Sequence, residues 1–185
     1  MMAAGHAVLT MALAQKKAVL RSFANILTWG YLPQTGFLVD NQIQLMTVDG
    51  RITPIALSSL KHIAYVKDFN LDDTVDPERI GRRVFPARPR GDGLWVRLTL
   101  RDHEVLEGLA ALDLAFLDSL VKDQGFFLTP PDLRSNTQRL FIPRPALISV
   151  EVLGFVAASS RRSSLSANPA KHKALPGAQP GLFDS

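Results

Sequence analysis

The chain has 185 residues, of which 46% are hydrophobic and 21% charged, a composition typical of one ordinary globular domain or two small ones. It contains no cysteine, which excludes disulfides and thiolate metal sites and fits a cytoplasmic protein. The formal net charge is +4, and no run reaches the ~18 apolar residues of a membrane span, so we expect no membrane segment.

Charge is distributed unevenly along the chain. Residues 16–69 hold six Lys/Arg against three Asp/Glu, residues 70–92 hold five of each, and residues 93–157 hold six against eight. Residues 158–185 hold four against one. The basic character therefore lies in the first half and the tail, which lowers the expectation that residues 93–157 bind a phosphate backbone.

Residues 1–15 are predicted to form an N-terminal arm or short helix. A secretory signal is disfavoured because Lys16 and Lys17 follow the apolar stretch instead of preceding it. Met11 offers an alternative start just before the first strand.

Residues 16–69 are predicted to form a first β-module. Asn25 suits a turn because its side chain tolerates the left-handed conformation. Asp49-Gly50 is the strongest hairpin signal in the chain, since glycine supplies positive φ. Pro54 places its strand at an edge or a bend, and Ser58-Ser59 predicts a helical turn. The predicted strands are Lys17–Phe23, Ile26–Leu32, Gln42–Val48, Arg51–Leu57 and Ile63–Val66.

The remaining chain divides into three segments. Residues 70–92, rich in Pro, Gly and charge, are predicted to be a linker because they suit neither a helix nor a central strand. Residues 93–157 are predicted to form a second β-module, in which Ala110–Lys122 is either a short amphipathic helix or a strand extension. Residues 158–185 have the composition of a disordered basic tail.

The two β-modules repeat one pattern of five strands, and a glycine ends the second strand each time. We therefore predict a mainly β fold of two tandem, strongly bent five-stranded barrels. The aligned segments are Phe23–Gly30 with Leu100–Gly108, Leu45–Asp49 with Leu128–Asp132, Ile55–Leu60 with Ile142–Leu147, and Ile63–Val66 with Val150–Leu153.

Residues Phe141–Val150 form an apolar strand, an arginine at the loop (Arg144) and a closing apolar strand. This segment resembles the second motif of the Sm family. The resemblance covers about 16–69 and 93–155 and implies Sm-like or SH3-like small barrels. The chain also resembles an uncharacterised bacterial family with two such modules per chain, a resemblance that brings no known activity.

The sequence lacks a convergent set of catalytic or metal-binding groups. The histidines fall in four separate predicted places, an arm, a helical turn, a hairpin tip and a tail, so we predict no catalytic residue, no metal and no cofactor. A calcium loop's glycine and terminal glutamate are missing from the acidic group, for which we predict a solvated loop paired with the following arginines. We assign the tryptophans to packing. These residues are His6, His62, His103 and His172; Asp72, Asp73, Asp76 and Glu78; Trp29 and Trp95.

The linker arginines are the first candidate ligand site, because guanidinium groups match phosphates bidentately. Arg79 and Arg83 have the spacing of the R-x-x-x-R stretch of PilZ domains, and this resemblance implies cyclic di-GMP. The alternative is a solvated linker paired with its own carboxylates. The candidates are Arg79, Arg82, Arg83, Arg88 and Arg90.

The second candidate site is a polar hairpin tip, because loops on a rigid barrel commonly carry binding. Its residues are Arg134, Asn136, Arg139 and the nearby Arg144. In the tail, Gln179 followed by Leu182 and Phe183 resembles the short motif by which bacterial proteins dock on the replication sliding clamp.

Taken together, these features predict a non-enzymatic binding module for RNA, a nucleotide or another anionic ligand. The alternative is a protein-interaction scaffold that uses barrel edges and the tail. A continuous positive groove favours the first hypothesis, whereas scattered charges with an apolar exposed edge favour the second.

Overall fold

The computed structural model describes residues 15–111, 124–132 and 134–157. These residues form eleven strands in two antiparallel sheets, which confirms the prediction of a mainly β protein. The strands are β1 (Gln15–Ser22), β2 (Leu27–Pro33), β3 (Leu38–Val39), β4 (Gln42–Met46), β5 (Ile52–Ala56), β6 (Leu60–Val66), β7 (Gly93–Leu100), β8 (Val105–Ala110), β9 (Gly125–Leu128), β10 (Thr137–Pro143) and β11 (Leu147–Val156).

The tight turns follow the predicted turn chemistry. Asn25 has φ 58° between β1 and β2, and Gly50 has φ 81° between β4 and β5. The Gly50 backbone N–H donates to the Thr47 carbonyl at 2.9 Å, which closes the second turn. Left-handed residues thus fix the register of both hairpins.

The large sheet has the order β3-β4-β2-β1-β6-β10-β9, with β5 paired to β4, and the small sheet has the order β11-β7-β8. Neither sheet closes on itself in the described residues. Each half of the chain nevertheless follows one strand order. This order is β6-β1-β2-β4-β5 in the first half (residues 15–69) and β11-β7-β8-β9-β10 in the second half (residues 93–157), where an isolated bridge joins β8 to Thr129, the residue directly after β9.

The same glycine geometry marks both halves. A Cβ on Gly30 would lie 2.4 Å from the Met46 carbonyl oxygen, and a Cβ on Gly108 would lie 3.1 Å from the Thr129 carbonyl oxygen. The next residue bridges to the third strand in each case, as Tyr31 opposite Met46 and Leu109 opposite Thr129. Glycine therefore permits the sharp approach of the second and third strands.

A short 3-10 turn precedes the fifth strand of each half, at Leu57–Ser59 and at Arg144–Ala146. The first of these confirms the helical turn predicted at Ser58-Ser59. The placement of His62 in that turn is wrong, because β6 already begins at Leu60 and buries the His62 side chain.

The two halves join through β6 and β10, which pair in antiparallel register with Phe141 opposite Ile63. Each half also completes the core of the other. The core of the second half takes in Val19, Ala64, Val66 and Phe69 from the first. The core of the first half takes in Phe141 from the second.

All of residues 67–92 are described, and none lies in a helix or strand. Most of the segment Ala110–Lys122 falls outside the described residues, as do residues 1–14 and the tail from 158 onward. The part of the chain that the structure describes holds no helix with the length and apolarity that crossing a membrane demands.

Candidate functional site

An apolar cleft of about 500 Å³ opens on the first half of the molecule. Its walls come from the β1–β2 turn, from β5 and from the beginning of β6. Arg101, in the turn after β7, lines one side. The apolar lining of the cleft includes Leu20, Phe23, Ile26, Ile55 and Leu60.

The β1–β2 turn shapes the mouth of this cleft. Ser22 binds Ile26 twice, since its N–H donates to the Ile26 carbonyl at 3.0 Å and its Oγ accepts the Ile26 N–H at 3.0 Å. The Phe23 N–H donates to the Ser59 carbonyl at 3.2 Å, which anchors the turn to the first 3-10 turn. Ile26 is left 64% exposed, an apolar side chain held in place at the mouth.

Arg101 supplies the charge beside the cleft. Its guanidinium carbon lies 4.2 Å from the centroid of the Phe23 ring, a cation–π contact. Its Nη2 donates to the Ser58 carbonyl at 2.8 Å, and its backbone N–H donates to the Ala146 carbonyl at 3.0 Å. These contacts use one of the five guanidinium donors, so a positive group is fixed at the cleft wall with donors to spare.

A buried ionic cluster attaches the linker to the large sheet. Glu78 is fully buried, and Arg21 donates to its two carboxylate oxygens, from Nε at 2.8 Å and from Nη2 at 2.5 Å. His62 Nε2 lies 3.3 Å from Oε1. Thr137 Oγ1 donates to the Glu78 carbonyl at 2.8 Å. One linker residue thus contacts β1, β6 and β10.

The environment keeps Glu78 ionised. Burial opposes its ionisation, but the hydrogen bonds from His62 and Arg21 outweigh burial and lower the pKa of Glu78 to about 2. Burial also lowers the pKa of His62, which is therefore neutral near pH 7 and donates from Nε2 to the carboxylate. The cluster is a satisfied structural unit.

A second buried glutamate holds the linker on the small sheet. Glu107 Oε2 accepts from the Phe85 N–H at 3.0 Å and from Trp95 Nε1 at 3.1 Å, and Oε1 accepts from Arg97 Nη2 at 2.9 Å. Burial opposes ionisation of Glu107, but these donors prevail and lower its pKa. Trp95 is thus a half-buried packing residue with a satisfied N–H, whereas Trp29 is partly exposed.

The linker arginines make contacts on different elements. Arg79 lies 3.9 Å from Asp73, Arg83 forms an ion pair with Glu104, and Arg88 donates to the Phe155 carbonyl at 3.0 Å. Arg82 and Arg90 are exposed. The five predicted ligand residues are therefore spread over both halves of the molecule.

Asn136, predicted to contact a ligand, joins the hairpin tip to the linker. Its Nδ2 donates to the carbonyls of Asp68 at 2.6 Å and of Pro77 at 2.8 Å, and its Oδ1 accepts the Asp68 N–H at 2.9 Å. Arg134, in the same loop, is exposed. The structure thus brings this loop against the linker beside Arg79.

The other two predicted residues of this site lie further along the chain. Arg139, on β10, stacks its guanidinium carbon 3.9 Å from the centroid of the Phe127 ring. Arg144 is exposed in the second 3-10 turn. Both therefore lie outside the loop that carries Arg134 and Asn136.

The acidic group has two different environments. Asp73 caps a local turn, since its Oδ1 accepts the Asp76 N–H at 2.9 Å. The predicted solvated loop is wrong for Glu78, because Arg21 and His62 supply partners that permit its burial. His103 has φ 64° in a turn, as predicted. Among the described residues, no group of three or more His, Asp or Glu side chains could hold a metal ion.

The predicted docking motif in the tail, Gln179, Leu182 and Phe183, lies outside the described residues, as do His6 and His172. Its interpretation stays a prediction.

Residues 14–154 match the model of a family described as a family of unknown function (DUF6982). The chain belongs to that family. The match spans both halves and the linker, so the repeated strand order lies within the family's own region. No curated protein and no solved structure matches the chain.

The cleft was not predicted from the sequence. Ile26 was predicted to begin a strand, and its sequence position does not indicate that its side chain is exposed. The role of Arg101 could not be predicted either, because its position over Phe23 depends on a contact between the two halves of the chain.

Proposed function

We propose that this protein is a non-enzymatic protein-interaction module. Its cleft would bind a large apolar side chain of a partner protein that has an acidic residue beside it. The observation that carries this proposal is the apolar cleft of about 500 Å³, with exposed Ile26 at its mouth and Arg101 at its wall. Apolar concavities with few, fixed polar groups are typical binding sites, and guanidinium pairs well with carboxylate.

The distribution of charge also supports a protein partner. Arg83 and Arg97 pair with carboxylates of the same chain, and Arg88 binds a backbone carbonyl. The strand β11 exposes Val150 and Val152. Scattered, partly compensated arginines beside exposed apolar strand residues suit a protein surface better than a phosphate backbone.

We further propose that each half is a small Sm-like or SH3-like barrel and that the protein is cytoplasmic. The common strand order of the two halves and the 3-10 turn before each fifth strand support the first proposal. The absence of cysteine supports the second.

Peptide phage display against the immobilised full-length protein tests the cleft. We expect enrichment of peptides that carry a large apolar residue next to Asp or Glu. Binding of a synthetic enriched peptide, measured by fluorescence anisotropy, should weaken at least about tenfold in Ile26→Lys, because a charge at the mouth opposes apolar burial.

Val39→Lys is the matched control, since Val39 is also an exposed apolar residue but does not line the cleft. Arg101→Gln should weaken binding of the acidic peptide more than binding of the same peptide with Asn or Gln in place of its Asp or Glu. Failure to enrich any such peptide, or equal losses in Ile26→Lys and Val39→Lys, would overturn the proposal.

An anionic ligand, RNA or a nucleotide, is the second candidate. It is favoured by the contact of Asn136 with Pro77, which places the loop of Arg134 against the linker that carries Arg79 and Arg82. Filter binding to pooled RNA at low salt tests this candidate, because electrostatic affinity rises as salt falls. RNA binding that is lost in the double variant Arg79→Glu, Arg134→Glu would support this candidate. Absence of RNA binding at low salt would rule it out.

A further inference from the structure

The two halves are joined by a strand pair, and each half also has the strand that matches the other half's member of this pair. Within the chain, the fifth strand of the first half, β6, pairs with the fourth strand of the second half, β10. The matching strands are β11, the fifth of the second half, and β5, the fourth of the first half. In the described residues, β11 pairs with β7 alone and β5 with β4 alone.

Burial differs between the matching strands. All seven residues of β6 are buried, between β1 and β10. On β11, Val150 is 43% and Val152 is 59% exposed, although they match the buried Ile63 and Tyr65 in the repeat. On β5, Ile52 is 59% exposed. Exposed β-branched residues on unpaired edge strands are typical of surfaces that pair with another strand.

The internal register predicts how the two edges would meet. In the β6–β10 pair, Tyr65 lies opposite Arg139 and Ile63 opposite Phe141. The repeat alignment carries these pairs onto β11 and β5 as Val152 opposite Ile52 and Val150 opposite Pro54. The apolar residues that each edge exposes therefore face one another. Glu151 would lie opposite Thr53 and diagonal to Arg51, an opposite-charge pair.

The backbone groups of the two edges also match. The Thr47 N–H donates to the Arg51 carbonyl at 2.8 Å, and the Leu57 N–H donates to the Asn41 carbonyl at 2.9 Å. Because hydrogen-bonded pairs alternate along an antiparallel ladder, Ile52 and Pro54 direct their backbone groups away from β4.

The same alternation applies to β11. The Leu100 N–H donates to the Glu104 carbonyl at 2.9 Å, so alternate β7 residues, Thr99 and Arg97, bond β11 through Ser149 and Glu151. Val150 and Val152 then direct their backbone groups outward. Pro54 has no N–H, so the new contact has one hydrogen bond fewer than the ladder allows and is weaker than the internal one.

We propose that β11 of one copy of this protein pairs antiparallel with β5 of a second copy, in the register of the β6–β10 pair. This self-assembly goes beyond the proposed cleft function. It uses the backbone edge of β5, a strand whose Ile55 side chain lines the cleft, and the edge of β11, which does not line it. The contact joins two different surfaces, so it continues from copy to copy and builds a closed ring or an open chain.

Size-exclusion chromatography with light scattering on the full-length protein, over a concentration series, tests the assembly. We expect the wild-type mass to rise above that of the monomer with concentration. Ile52→Lys and Val152→Lys should each give monomers, because a lysine at either edge opposes apolar pairing. Val75→Lys, an exposed residue of the linker, is the control and should assemble like wild type.

Mixing the two edge variants decides the geometry. Ile52→Lys keeps an intact β11 and Val152→Lys keeps an intact β5, so an equimolar mixture should form a dimer that grows no further. Circular dichroism confirms that both variants are folded before mixing. A wild-type monomer at the highest soluble concentration would overturn the proposal. A dimer that persists in Ile52→Lys alone would also overturn it, because that result indicates β11 pairing with β11.

Discussion

Glu78 is one of two buried glutamates that hold the linker against the sheets. Its carboxylate is fully buried, yet Arg21 and His62 satisfy it, and the cluster connects segments 57 positions apart in the chain. Removing one partner of a buried ion pair leaves the other charge buried and unpaired, which typically costs about 3–5 kcal/mol. Loss of this ion pair should therefore lower the free energy of unfolding by a measurable amount.

Glu78 also predicts an acid-sensitive stability. Its pKa of about 2 lies below the ordinary 4.5, so its stabilisation is complete above pH 4.5 and is lost as pH falls towards 2. His62 has a pKa lowered from 6.5, so protonation below that pH favours the unfolded chain. We expect the free energy of unfolding, from urea titrations, to fall between pH 7 and pH 3.

Glu78→Gln provides the comparison for this titration. At pH 7 the variant should lose about 3 kcal/mol, because Arg21 keeps its charge without a carboxylate. Between pH 4.5 and pH 3 its stability should change less than that of wild type. Asp72→Asn, at an exposed site in the same linker, should follow wild type. Parallel curves for wild type and Glu78→Gln would contradict this account.

The buried glutamates could not be predicted from the sequence, and the reason lies in their partners. Acidic residues among prolines and glycines are usually hydrated, so composition alone predicts a solvated linker. The burial of Glu78 requires Arg21 and His62, and that of Glu107 requires Trp95 and the Phe85 N–H. Such partners are defined only once the sheets have formed.

At the scale of the elements, local signals predicted the strands well. Asp49-Gly50 and Asn25 marked turns because positive φ is a local requirement. The division of the second half between two sheets was not predicted. It depends on the pairing of β10 with β6, a contact between distant segments that leaves no periodic signal in the sequence. The short β3 was missed for a different reason, since a strand of two residues shows no alternation of apolar and polar residues.

The backbone at the beginning of β9 leaves no room for a side chain at Gly125. Gly125 has φ 131°, and a Cβ there would lie 2.3 Å from the Ile142 carbonyl oxygen. Gly125→Ala should therefore lower the free energy of unfolding by at least about 3 kcal/mol, through strain and displacement of β10. Gly36→Ala is the control: it also has positive φ, 70°, but open space around it, so about 1 kcal/mol is expected. Equal losses in the two variants would show that crowding at β9 is unimportant.

For the whole molecule, the repeat and the shared cores point in different directions. Two copies of one strand order suggest two independent domains, but Val19 and Ala64 pack in the core of the second half and Phe141 packs in the core of the first. The linker adds Ile80 to the second core. Each half would therefore expose apolar surface without the other, and we expect them to unfold together.

Trp29 and Trp95 allow this expectation to be measured, because one lies in each half. In Trp95→Phe the fluorescence reports the first half, and in Trp29→Phe it reports the second. For each variant, urea unfolding is followed both by fluorescence and by circular dichroism, which reports both halves. In each variant the urea midpoints from the two methods should coincide. Adding Phe141→Ala to either variant should lower the free energy of unfolding by about 3–5 kcal/mol, since a large buried ring is lost from a core to which both halves contribute. The fluorescence midpoint should fall by the same amount in both variants. A fluorescence midpoint that separates from circular dichroism, or a shift confined to one probe, would mean that the halves fold as separate domains and that the β6–β10 pair is a contact between them instead of part of one cooperative sheet.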